Sequence, residues 1–331
     1  MHFALIINIS WSKYFLDYKS DTITGYTGIS LAVLGWGLSN SLIVYGLSYI
    51  NPYLFLTVRF IVAALVFVPF ILLFKRKAFI KLVTNKWTWI IAFFEFIGLE
   101  LQYIGQQTIS AGLSTLIIIQ YIIFVPILSA KFLHTPITKM NVLSIIIAIT
   151  GSILITTDGK IMNLISNINT GVFFLLLSAL AYSFYIITSS YFTNKSDKQI
   201  DSSAMFFIVI LGLGLFSIIP TSAMSHSFIV PKNIWIVILI LVVFSTIIPF
   251  IGYFKGLKVI SANTMSFVLL LQLVVPTIID IVFLGITYSL WVIIGSFLIV
   301  SSLLLFVSKP ILDKLQLEPE SINESIQMSK S

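Results

Sequence analysis

Apolar residues run in stretches of about 20, enough for a helix to cross a hydrocarbon core of about 30 Å, and short polar breaks separate them. The alternation predicts ten membrane-spanning helices at about 26–48, 52–74, 87–107, 111–133, 139–157, 171–193, 201–222, 233–253, 260–284 and 288–308. They form two sets of five, 26–157 and 171–308, between an N-terminal segment, 1–25, and a polar stretch, 309–331, expected to be a disordered tail. The expected fold is therefore an all-α integral membrane protein. Pro69, Pro126, Pro220, Pro249 and Pro276 fall inside or near the ends of spans, and each removes one helical hydrogen bond. Proline is common in such helices, so packing alone accounts for most of these; Pro126 and Pro276 stand out because their positions in the two sets match.

The loop charges of the second set reverse those of the first. Lys75, Arg76, Lys77, Lys81 and Lys86 lie between spans 2 and 3, whereas the matching loop between spans 7 and 8 carries only Lys232. No cation lies at 49–51 between spans 1 and 2, yet Lys195 and Lys198 lie between spans 6 and 7. Spans 3 and 4 join through the uncharged 107–111, while spans 8 and 9 join through Lys255 and Lys258. Lys131 and Lys139 mark the junction of spans 4 and 5, and the counterpart at 285–289 has none. Cations collect on the cytoplasmic side, and an odd number of spans makes a second copy enter from the opposite face. The pattern thus predicts two inverted five-helix repeats with both termini in the cytoplasm, the plan of an inverted-repeat transporter. Internal similarity agrees with it. Tyr103-Ile104-Gly105, Ile109-Ser110-Ala111 and Pro126 recur as Tyr253-Phe254-Lys255-Gly256, Ile260-Ser261-Ala262 and Pro276, in the same order with one single-residue slip.

Composition narrows the class. Hydrophobic residues make up 58% of the 331, charged residues 9%, and mean hydropathy is +1.07, which excludes a soluble globular chain. The net charge of +7 sits beside spans, where it holds topology against an anionic leaflet, so nucleic acid is not an expected partner; the lipid bilayer and a small-molecule substrate are. A homodimer is compatible with such a chain. The absence of cysteine removes disulfides, thiolate nucleophiles and cysteine metal sites. There is no HExxH, GxGD, GxSxG or GxxxxGK[ST] pattern, and His2, His134 and His226 lie at or outside span ends, so neither an enzyme nor a bound cofactor or metal is expected. Residues 3–9 are apolar but lack the basic start and cleavage site of a signal peptide; the segment could instead form a helix on the cytoplasmic surface.

Ionisable side chains inside hydrocarbon are rare and costly, so those present are candidate sites. Arg59 lies in span 2, Glu95 and Glu100 in span 3, and Asp280 near the outer end of span 9, where interfacial solvation favours a bland role. At 1.5 Å per residue, Arg59 and Glu100 come to about 10 and about 12 Å below the outer face, so they could pair across spans 2 and 3. Glu95 lies about 8 Å deeper and about 140° around the helix, away from that cation. Gln102 and Gln106 fall within about 20° of Glu95, making one polar stripe that should face protein or water. A midplane carboxyl on such a stripe is a candidate to bind a cation or exchange a proton as access alternates. Trp36, Asn40, Ser41, Gln120, Tyr121, Tyr182, Tyr185 and Gln272 could complete a cavity wall of amide, hydroxyl and aromatic groups, although each alone is ordinary helix packing.

Several short motifs now come together: Trp36-Gly37 with Asn40, Arg59-Phe60, Gly105 with 108–112, then Gly252-Tyr253, Gly256-Leu257, Ile260-Ser261-Ala262, Pro276 and Gly285. In this ordered set the chain resembles the drug/metabolite transporter superfamily, in its ten-span EamA-type branch, over nearly all of 26–308. Members often carry Gly-Glu at the ends of spans 4 and 9; here those places read Leu133-His134-Thr135 and Gly285-Ile286-Thr287, and the usual proline near the start of span 4 stands at Pro126. The resemblance implies a secondary carrier, commonly an exporter of amino acids, other metabolites or drugs, with a central site between two five-helix halves and a proton motive force or exchange as energy source. A small-solute channel or facilitator, and less readily a membrane-embedded enzyme, are the competing readings.

Overall fold

In the computed structural model the described residues are 2–160, 162, 169–196, 199–224, 227–284 and 287–306; of these, 2–21, 276, 279–281, 283 and 284 are described by their backbone alone. Lys198, His226, Gly285 and the 309–331 stretch lie outside the described residues, as do the side chains of Pro276 and Asp280.

Every regular element among the described residues is helical, because backbone in a bilayer must satisfy its own hydrogen bonds. Helix α1 is His2–Leu47, so the N-terminal segment continues directly into the first apolar run. Asn51 then accepts from the Tyr53 amide and starts α2, Pro52–Phe70, with Pro52 where its missing N–H is harmless. A π-helical turn, Ile71–Lys75, carries this helix on into α3, Arg76–Val83, beyond the end expected near 74. No glycine or proline interrupts that basic stretch. Asn85 caps α4, Lys86–Gln106; α5 is Ala111–Ile118, α6 Tyr121–Phe132, and Thr138 caps α7, Lys139–Thr157. Asn169 caps α8, Thr170–Lys195, and Asp201 accepts from the Ser203 and Ala204 amides at the start of α9, Ser202–Met224. Next come α10, Lys232–Ile240, a π-helical stretch Leu241–Ile247, and α11, Ile248–Gly256. The chain closes with α12, Ala262–Val268, α13, Leu271–Leu284, and α14, Leu290–Phe306.

Eight of the described helices are long and apolar enough to cross a membrane, and Ala262–Val275 and Leu290–Phe306 are shorter apolar ones. Large side chains such as Leu73, Phe173, Ile219 and Phe297 stand on the surface, as they do where lipid is the solvent.

Two helices are broken in the same way. Between α5 and α6 the Ile119 amide reaches Thr115, Gln120 reaches Ile117, Ile122 reaches Ile119 and Ile123 reaches Gln120. Between α12 and α13 the same four bonds recur: Leu269 to Met265, Leu270 to Phe267, Gln272 to Leu269 and Leu273 to Leu270. The spacing from 119 to 269 equals that from Pro126 to Pro276, so the repeated proline marks a repeated break.

Helix pairing follows a pattern of exchange as well. The most extensive packing is α4 on α8, α1 on α11 and α9 on α2. Each pair runs antiparallel: Ser178 donates to the Gly98 carbonyl at 2.7 Å while Gly171 meets Gly105, and Trp36 meets Ser245 while Gly28 meets Gly252. The glycine contacts bring backbone against backbone, since a Cβ on Gly28 would stand 2.8 Å from the Gly252 oxygen and one on Gly105 2.8 Å from the Gly171 oxygen. Gly151 of α7 meets Gly295 of α14 likewise, a Cβ there standing 2.7 Å from the facing oxygen.

Candidate functional site

A cavity of about 90 Å³ lies where the broken helices meet α1, α2, α4, α8 and the π-helical stretch. Ile118, Ile119 and Tyr121 border it from the first break, Leu269 and Gln272 from the second. Sites at discontinuous helices are a recurrent device of membrane carriers, because irregular backbone is tolerated where it lines a cavity.

Arg59 forms one wall and is 2% exposed. Its Nε donates to Thr246 Oγ1 at 3.0 Å, Nη1 to the Tyr103 hydroxyl at 2.6 Å, and Nη2 to the Ser245 carbonyl at 3.0 Å and to Ser245 Oγ at 2.9 Å. The guanidinium carbon also lies 5.2 Å from the centre of the Phe60 ring. A buried cation needs this degree of satisfaction, and the local sequence supplies it. In α-helical register the donor to carbonyl 245 would be the amide of residue 249, which is a proline. Arg59 and Trp36, whose Nε1 donates to the same oxygen at 3.1 Å, fill that place.

The expected Arg59–Glu100 pair is not formed. Both Glu100 carboxylate oxygens are buried without a hydrogen-bond partner, and the guanidinium turns instead to Tyr103 and the 245–246 turn. Depth along a helix axis sets height but not azimuth, and equal height was the sole basis for pairing the two. Glu95, expected to sit apart from the cation, lines the same cavity as Arg59; it is 4% exposed, and its Oε2 has no hydrogen-bond partner.

The polar stripe of α4 continues along the cavity as an amide network. Tyr182 donates to Gln102 Oε1 at 2.6 Å, and Gln102 Nε2 donates to Asn40 Oδ1 at 3.2 Å and Gln106 Oε1 at 3.3 Å. Gln106 Nε2 reaches Asn40 Oδ1 at 3.2 Å and Ser114 Oγ at 3.0 Å, and Asn40 Nδ2 reaches Thr115 Oγ1 at 2.9 Å. Because Asn40 and Gln102–Gln106 all lie near the C-terminal ends of α1 and α4, these two helices run parallel. Opposite the network stand rings: Tyr185 stacks on Tyr253 with centroids 5.1 Å apart, and Trp36 meets Phe250 edge-on at 5.2 Å. The Tyr121 and Tyr185 hydroxyls are buried without hydrogen-bond partners, so with Glu95 they offer unmet polar capacity at the wall.

Of the residues singled out in the sequence, Trp36, Asn40, Arg59, Glu95, Gln102 and Tyr121 line the cavity, together with Tyr182, Tyr185 and Gln272. Glu100, Gln106 and Gln120 do not. Gln106 stands just behind the wall, and Gln120 donates to the Leu116 carbonyl at 3.0 Å, helping to hold the break in its own helix. Ser245, Thr246, Thr115 and Phe250 were not anticipated; a proline four residues after Ser245 was the available signal for the first of them.

Apolar span-length helices around a cavity lined by Arg59, Glu95, amides and aromatic rings define a multi-pass membrane protein, and the family match places it in the transporter class. The chain belongs to the EamA-like transporter family, whose model matches residues 23–157 and again 169–308. It is 28% identical over 285 residues to an uncharacterized transporter of Archaeoglobus fulgidus, covering 85% of this chain and 98% of that one. A second uncharacterized transporter of the same organism is 24% identical over 195 residues, covering 59% of this chain and 58% of that protein. A solved crystal structure aligns with a TM-score of 0.70 over 90% of this chain and 99% of its own, at 14% identity, which is a likeness of fold alone.

Proposed function

We propose that this transporter is a secondary active carrier that exports a small metabolite, amino acid or drug across the plasma membrane by alternating access, with ten spans arranged as two inverted five-helix repeats, 26–157 and 171–308, and both termini cytoplasmic. The observation that carries the reading is the pair of identically broken helices meeting at one cavity that Arg59 and Glu95 line. Inversion draws support from the glycine contacts. Because α1 and α4 run parallel, Gly28 near the start of the span Thr22–Leu47 and Gly105 at the end of α4 lie at opposite ends of the bundle, yet each packs its backbone on a glycine of the other half. That is the arrangement expected when two copies enter the bilayer from opposite sides.

The cavity size favours the smaller substrates. A volume of about 90 Å³ suits a metabolite of amino-acid size, whereas pockets for drug-sized molecules run to roughly 300–1,000 Å³. Glu95 is the proposed proton-coupling group, with Arg59, Gln102 and the tyrosines as substrate contacts. The test is flux of a labelled metabolite mixture in proteoliposomes with and without a pH gradient, comparing the parent with Glu95→Gln. Saturable, gradient-driven flux lost in the variant supports a proton-coupled carrier. Flux that does not saturate and is not stimulated by solute on the opposite side would make the protein a channel.

A further inference from the structure

The helix Lys232–Gly256 depends, at one turn, on side chains from the other half of the molecule. Its Leu241–Ile247 stretch is wound as a π-helix, with the Ile248 amide reaching back to the Val243 carbonyl. Pro249 follows at once and supplies no amide for the Ser245 carbonyl. Arg59 Nη2 and Trp36 Nε1 both donate to that oxygen. Thr246 Oγ1 accepts from Arg59 Nε while donating to the Leu241 carbonyl at 3.1 Å, so the cation also grips the hydroxyl that closes the wide turn. Gly35 brings the α1 backbone against the Phe244 carbonyl and Pro249, which is what lets Trp36 reach.

We infer that the Leu241–Ile247 turn is a hinge of the proposed alternating movement and that Arg59, assisted by Trp36, is the positioning residue that latches it across the cavity. The inference rests on the transporter reading. Helical hydrogen bonds are normally internal to their own segment and so insensitive to neighbours; at this turn they are shared with α1 and α2, so displacement of either half must exchange them. Arg59 has five N–H donors and makes four hydrogen bonds, which leaves one Nη1 hydrogen. Arg59 and Ser245 both line the cavity, so a solute accepting from that hydrogen draws on the same guanidinium that holds the turn. Occupancy and hinge geometry are thereby linked through one side chain.

Amide hydrogen exchange over 241–252, read by mass spectrometry on the full chain in detergent or liposomes, tests this without reference to flux. Trp36→Phe keeps an aromatic ring and removes one donor; exchange should quicken about threefold, and on the order of tenfold or more for Arg59→Lys, which keeps the charge but loses the fork. Pro249→Ala returns an amide that in α-helical register meets the Ser245 carbonyl, so it should slow exchange and offset the effect of Trp36→Phe added to it. Unchanged exchange in both single variants of Arg59 and Trp36, with flux reduced, overturns the latch and leaves the transport reading standing. Faster exchange in a protein whose parent shows no saturable flux supports the latch and overturns the transport reading.

Discussion

The cavity receives different chemistry from its two halves. Residues 23–157 bring Arg59, Glu95, Asn40 and Gln102, a guanidinium, a carboxyl and two amides, whereas 169–308 bring Tyr182, Tyr185, Phe250, Tyr253, Ser245 and Gln272, with neither guanidinium nor carboxyl on the wall. The backbone shares it only in part: the helix breaks recur at matched places in both halves, whereas the π-helical Leu241–Ile247 stretch has a regular α-helical counterpart in α4. At matched places on α4 and the Leu241–Gly256 segment, Glu95 corresponds to Ser245 and Gln102 to Gly252, while Tyr103 and Tyr253 agree. Bilayer and close packing constrain both copies alike, so backbone devices persist. Side chains facing the chamber are free of that constraint, and one copy carries an amide where the other carries a close contact: Gly252 meets the α1 backbone at Gly28, a place no glutamine could occupy.

The sharpest way to break the contrast is to remove the carboxyl. Glu95→Gln should lower gradient-driven flux by tenfold or more, whereas Gln272→Ala, on the opposite wall, should raise KM a few-fold and leave the gradient dependence intact. Equal losses from both would mean that the two walls contribute alike. Next in size come the shared backbone contacts. Gly28→Leu and Gly105→Leu each force side-chain atoms into a facing backbone, so each should cost about 1–3 kcal/mol in detergent thermal unfolding, and by similar amounts. A loss confined to one of them would show that the two glycine contacts are not equivalent.

What the sequence makes legible follows the same division. Apolar runs reveal the helices because the bilayer imposes one length on all of them, and the wheel arithmetic on Glu95, Gln102 and Gln106 finds a stripe because all three share one helix. The partner of Arg59 is not legible that way. It depends on which helix lies across from α2 and which carbonyl there lacks a donor, information divided among Arg59, Trp36 and Pro249, up to 213 positions apart in the extreme case of Trp36 and Pro249. The helix breaks lie between. Pro126 and Pro276 signal them, but six residues downstream of the turns themselves.

A smaller effect attends the end of α6. His134 has φ 54°, the left-handed region that favours glycine, at the place where members of the family often carry Gly-Glu. Its side chain is exposed, so His134→Gly forfeits little contact. Left-handed backbone costs an L-residue about 1–2 kcal/mol, and glycine returns about 0.5–1 of that as chain entropy, so the variant should be about 0.5–1 kcal/mol more stable. An unchanged or lower unfolding temperature would place the strain elsewhere.

The smallest test compares two ends of a single helix pair. Where the start of α2 meets the end of α9, Thr57 and Thr221 share an uncharged hydrogen bond of 2.6 Å, but at the other end Lys75 Nζ lies 2.8 Å from Asp201 Oδ2. Burial pushes the Asp201 carboxyl up, yet Lys75 and the Ala204 and Ser203 amides outweigh it and hold the group below the usual carboxylate range. A folded-state value lower than the unfolded one means stability that is present above about pH 4, the unfolded value, and lost as pH falls through the folded one. With Lys75 37% and Asp201 24% exposed, solvent screening keeps the pair's share within about 0.2–1 kcal/mol. Asp201→Asn keeps the helix cap and removes the charge, so it should cost that much at pH 7 and progressively less in acid. Thr57→Val, which breaks the hydroxyl end, should cost about 1 kcal/mol at either pH. Unfolding curves of both variants at pH 7 and below pH 4 separate the ends: a penalty for Asp201→Asn that did not shrink in acid would assign the contact to packing rather than charge.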